Sequence, residues 1–95
     1  MALDQDTLER YRRILSYDHP YTLASANNLA VDLRALGRLD EALAMDRDIL
    51  ERRRQILGDD HPETLRSAKN LARDLRALGR VDEAEAIEAS SGNTR

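Results

Sequence analysis

The sequence predicts an all-α chain, a short right-handed solenoid of about five antiparallel helices. Three observations carry this: a 42-residue internal repeat, apolar positions stepping by three and four, and no segment alternating as a strand would. Displaced by 42 positions, Asp18-His19-Pro20 falls on Asp60-His61-Pro62, and Leu33 to Arg38 falls on Leu75 to Arg80. From Asp18 to Asp46, 21 of 29 positions match their partners, so the period is a property of the chain and not of one motif. The match also runs backward, with Leu8, Glu9, Arg10 and Leu15 recurring as Leu50, Glu51, Arg52 and Leu57. The domain therefore reads as an orphan second helix at 3–16, a full unit at 18–58, a truncated unit at 60–90, and a flexible tail at 91–95.

Each helix follows from local signals. Residues 3–16 match the second helix of a unit. Pro20 sits where a first helical turn tolerates a missing N–H, just after Asp and His that can accept from free amides. Gly37 then follows the stripe Leu23, Ala26, Ala30 and Leu33, which gives a helix over about 20–36. Asp40 and Glu41 suit a helix N-terminus, and Ala42, Met45, Ile49 and Ile56 continue an apolar line until Gly58, which gives a second helix over about 39–57. The third and fourth signals repeat at Pro62 to Gly79 and from about 81 to 90. One such unit cannot bury both of its apolar faces, so successive units must stack and share a core. Small residues at Ala26, Ala30, Ala42, Ala68, Ala72 and Ala84 let backbones approach closely.

Composition narrows the function. The chain has 95 residues, no Cys and a net charge of −3, which fits one modest domain without disulfides or thiolate chemistry. No apolar run is long enough for a membrane span, and Asp4, Asp6 and Glu9 do not suit a signal peptide, so a cytoplasmic location is expected. Eighteen acids against fifteen bases create no global field for nucleic acid, and Arg52-Arg53-Arg54 is interleaved with Asp46, Asp48 and Glu51 and has no aromatic platform. No glycine-rich phosphate loop, nucleophile triad or buried carboxylate pair is evident, so no catalytic residue is nominated and no enzyme or cofactor is expected. His19 and His61 stand one per unit, without a second ligand at metal spacing, and are read as helix caps.

Asn27-Asn28-Leu29-Ala30, Leu36-Gly37, Asp40-Glu41-Ala42 and Ile56 to Pro62, at these spacings, resemble the 42-residue tetratricopeptide repeat of kinesin light chains and many bacterial repeat proteins. The family's usual large aromatics are replaced here by Leu33, Leu75, Asp46 and Glu88. The resemblance implies a protein-interaction scaffold whose first helices line a concave groove for a peptide or partner helix. Carried over position by position, the candidate peptide-binding residues are Asn27, Asn28, Arg34, Arg66, Lys69, Asn70, Arg73 and Arg76. The changes Ala24 to Arg66, Asn27 to Lys69 and Val31 to Arg73 all add positive charge to one helix face. An acidic peptide or a C-terminal carboxylate is the ligand chemistry this suggests. The alternatives are self-assembly, in which incomplete solenoid ends carrying Leu3, Leu8, Ile14 and Leu15 drive homo-oligomerisation, or a piece of a larger bacterial regulatory repeat protein.

Overall fold

The computed structural model describes residues 5–16 and 18–90. Within them lie five helices: α1 (Gln5–Ile14), α2 (Pro20–Ala35), α3 (Leu39–Leu57), α4 (Pro62–Ala77) and α5 (Val81–Ala89). Each packs chiefly on its neighbour in sequence, and the described residues include no strand. Residues 3 and 4 of the opening helix, and the tail at 91–95, lie outside the described residues.

The two equivalent helices begin and end by the same chemistry. His19 and His61 are extended N-cap residues whose Nδ1 atoms accept from the amides of Tyr21 and Glu63 at 3.1 and 3.0 Å. Pro20 and Pro62 then occupy the first helical position. At the other end Arg38 N donates to Leu33 O and Gly37 N to Arg34 O, with Gly37 at φ +80°. That doubly bonded left-handed turn satisfies orphan carbonyls in a conformation that a Cβ disfavours.

The stack shares its core as the period requires. One cluster joins Leu8 of α1 with Leu23, Ala26, Leu29 and Leu33 of α2 and Ala42 and Ile49 of α3. A second joins Leu43 and Leu50 of α3 with Ala68, Leu71, Ala72 and Leu75 of α4 and Ala84 of α5. Helix α3 thus presents Ile49 to one cluster and Leu50 to the other, an apolar wall on both sides. Leu8, expected to have fewer neighbours than its equivalent Leu50, is just as buried at 2% exposed, packed in the first cluster with residues of α2 and α3. Farther round the ends the pattern turns polar: Thr7 stands at the repeat position of buried Ile49, and Glu85 at that of buried Leu43, and both are exposed.

Candidate functional site

Helices α2 and α4, one repeat apart, are tied midway along their length by an amide–amide bond. Asn70 Nδ2 donates to Asn27 Oδ1 at 3.0 Å, so two of the candidate asparagines satisfy one another. Asn28 is exposed beside them. On α4, Arg66, Lys69 and Arg73 fall at i, i+3 and i+7 and are all exposed. Arg66 is loosely paired with Glu63 at 3.7 Å, while Lys69 and Arg73 have no ion pair or side-chain hydrogen bond among the described residues. These three cations and Asn28 are the members of the sequence-derived set that are exposed and not held by a close hydrogen bond among the described residues.

The remaining two candidates are engaged elsewhere. Arg76 makes a two-pronged pair with Glu88 of α5, its Nη1 and Nη2 each 2.8 Å from a carboxylate oxygen. Arg34 turns into the stack: its Nε donates to Asp74 Oδ1 at 2.6 Å and its Nη2 to Asp46 Oδ2 at 2.9 Å. Its guanidinium is a fastener between units, and the groove position read from the sequence does not hold for it.

The carboxylates that Arg34 joins are 2% and 0% exposed. Two buried acids against one cation leave a surplus negative charge, and burial together with the neighbouring Asp74 pushes the Asp46 carboxyl up to about 8, against the pull of Arg34. Asp74 Oδ2 is buried and has no donor from the other side chains, so a proton retained by Asp46 has an acceptor beside it. Sequence reading missed this cluster. The signal was present in Asp46, an acid standing where related repeats place an aromatic.

The two histidines are used as caps, and the described residues contain no group of three His, Cys, Asp or Glu able to hold a metal. None of the described helices is long and apolar enough to cross a membrane. A family model described as a tetratricopeptide repeat matches residues 2–55 and, one period on, 23–91. No curated protein matches the chain.

Proposed function

Since the chain belongs to the tetratricopeptide-repeat family, of the kinesin light chain-like kind, a class of non-catalytic repeats that mediate protein–protein interaction, we propose that it binds an acidic segment of a partner protein along the α2–α4 face. The observation that carries this is the exposed row Arg66, Lys69 and Arg73, in which the last two cations make no ion pair or side-chain hydrogen bond among the described residues. Several other exposed or half-exposed arginines are matched locally: Arg38 with Glu41, Arg52 with Asp48, Arg80 with Glu83. Unmatched cations on one face attract anions and speed encounter, and an arginine fork takes a carboxylate through two parallel bonds. Asn28, and the part of the Asn70 amide not spent on Asn27, supply hydrogen bonds for the backbone of an extended ligand.

Self-assembly through the ends is the weaker reading. Thr7 and Glu85 put polar groups where the interior units carry Ile49 and Leu43, which suits an end that faces water.

The test is fluorescence anisotropy with a labelled Asp/Glu-rich peptide and its Asn/Gln counterpart, each at low and high salt. Preference for the acidic peptide, weakened by salt and weakened about tenfold or more by Arg73→Glu, is expected. Equal binding of the two peptides, or indifference to Arg73→Glu, removes the reading.

A further inference from the structure

Residues that maintain a repeat recur in every unit, so those that do not recur need another reason. Three such residues meet at one place, the edge where α2 and α4 begin and α3 ends. Tyr21 stands where the next unit has Glu63, Ala24 where it has Arg66, and Arg53 where the preceding helix has Tyr11. All three line a single cavity of about 430 Å³, walled also by Leu23, Ile56 and Leu57. Tyr21, Ile56 and Leu57 are exposed by 64%, 47% and 40%, so half of the six large apolar side chains left exposed among the described residues converge on this pocket. Tilted ring contacts of Tyr21 with Tyr11 and with His19, at centroid separations of 6.4 and 5.1 Å, support one wall.

Arg53 is 8% exposed, yet among the described residues its guanidinium makes one hydrogen bond, from Nη1 to Ser67 Oγ at 2.8 Å. Glu63 lies 3.8 Å from it and 3.7 Å from Arg66, shared between the two and within hydrogen-bond reach of neither. The other acid at the rim, Asp18, is held by Arg52 at 2.8 Å, and His61 is occupied through Nδ1 in capping α4. The other donors of Arg53 are not sealed from solvent, so they need an acceptor from water or from a ligand in the cavity. A carboxylate meets that need while an attached apolar body fills the space that Ala24 leaves open, and Glu63 retains Arg66 when it yields its place.

We propose that this pocket binds a small apolar monocarboxylate, its carboxylate on Arg53 and its alkyl or aryl body against Tyr21, Ile56 and Leu57. The site shares no residue with the Lys69–Arg73 row, so either can fail without the other. The experiment is an NMR titration of the whole chain with 4-phenylbutanoate and with 4-phenylbutanamide. It reads the methyl signals of Ile56 and Leu57 and the Nε–H signal of Arg53. Saturating shifts confined to these groups are expected with the acid, with the amide about tenfold weaker or more. Ala24→Leu, which fills the cavity from an exposed helical position, should abolish the shifts; Arg53→Gln should erase the difference between acid and amide, and Arg73→Glu should change neither. No saturation by the acid up to about 10 mM overturns the proposal, because that limit corresponds to negligible affinity for a ligand of this size. So do equal binding of acid and amide, binding that survives Ala24→Leu, and binding of a peptide ending in Phe where the free acid does not bind. Ala24→Leu keeps the test decisive should Arg53→Gln fail to fold.

Discussion

Arg34 Nε donates to Asp74 Oδ1 at 2.6 Å across 40 residues of sequence, and this bond fastens one repeat to the next. The same guanidinium reaches Asp46 on α3, so one side chain of α2 ties together the three helices that define the inter-unit seam. Removing one member of a buried ionic cluster leaves the others uncompensated, a loss of about 3–5 kcal/mol where burial is complete. Arg34 is 16% exposed and Asp46 keeps a proton readily, so Arg34→Ala is expected to cost about 3 kcal/mol, the low end of that range. Urea unfolding monitored by helical circular dichroism measures it. The joint replacement Arg34→Met, Asp46→Leu, Asp74→Leu should recover most of the loss, because an apolar trio leaves no buried charge. A single Arg34→Ala that unfolds at the wild-type urea midpoint would show that the cluster contributes nothing.

The surplus carboxylate makes the seam sensitive to pH. In the folded chain Asp46 titrates near 8, raised by burial and by Asp74, against an ordinary value of 3.8. Between those two values the folded state holds more protons than the unfolded state, so this group's contribution is complete below about 3.8 and declines as the pH rises through 8. Stability should therefore fall from mildly acid to mildly alkaline pH, by on the order of 1 kcal/mol per pH unit below the folded-state value. Asp46→Asn should flatten that slope. Glu83 and Glu88, held below their ordinary value by hydrogen bonds from Arg80 and Arg76, have the opposite sign: their contributions are lost as the pH falls into the carboxylate range. Unfolding midpoints measured across the range should thus peak on the mildly acid side, and a midpoint that climbs steadily from mildly acid into alkaline pH would contradict the assignment.

Helices, caps and shared core were legible because each is written in short-range code. Pro20 and Gly37 bracket α2, and Leu23, Ala26, Leu29 and Leu33 fix its buried stripe by spacing alone, so the predicted helix over 20–36 differs from α2 by one residue. The polar seam was not legible in the same way. Asp46 and Asp74 occupy helix positions that also suit solvent, and their burial depends on α2, α3 and α4 meeting at one point. Arg34 shows the limit clearly: its position in the repeat gives the face of the helix, but not that the guanidinium turns inward to two acids. Lys69 and Arg73 could be assigned to an open face by periodicity, because both stay exposed and no ion pair among the described residues turns them inward.

Ser16 stands at the repeat position of Gly58 and shares its unusual backbone. Its φ is 122°, against 95° for Gly58, and it is the only residue other than glycine with positive φ among those described. A Cβ in that region costs about 1 kcal/mol, which the glycine avoids. Ser16→Gly is therefore expected to stabilise the chain by up to about 1 kcal/mol, less the entropy that glycine adds to the unfolded state. The reciprocal change Gly58→Ser should destabilise it by a similar amount. Opposite shifts in thermal midpoint for the two variants are the required result, and shifts of the same sign would contradict the equivalence of the two turns.

Thr22 and Thr64 test the repeat at the level of single hydroxyls. Both are 1% exposed and both open their helices one turn after the cap, but only Thr64 is satisfied, its Oγ1 donating to the Arg53 carbonyl at 3.3 Å. The Thr22 hydroxyl is buried without a partner. The difference lies in what precedes each: α3 runs long enough to bring the Arg53 carbonyl over Thr64, whereas the equivalent carbonyl, that of Tyr11, receives the amides of Leu15 and Ser16 as α1 closes. Replacing a bonded buried hydroxyl by methyl loses about 1 kcal/mol, and replacing an unbonded one removes a desolvation penalty. Thr64→Val should therefore destabilise by about that amount and Thr22→Val should be neutral or stabilising, since valine keeps the shape. Equal losses in the two variants, measured by urea unfolding, would mean that the Thr22 hydroxyl finds an acceptor in solution.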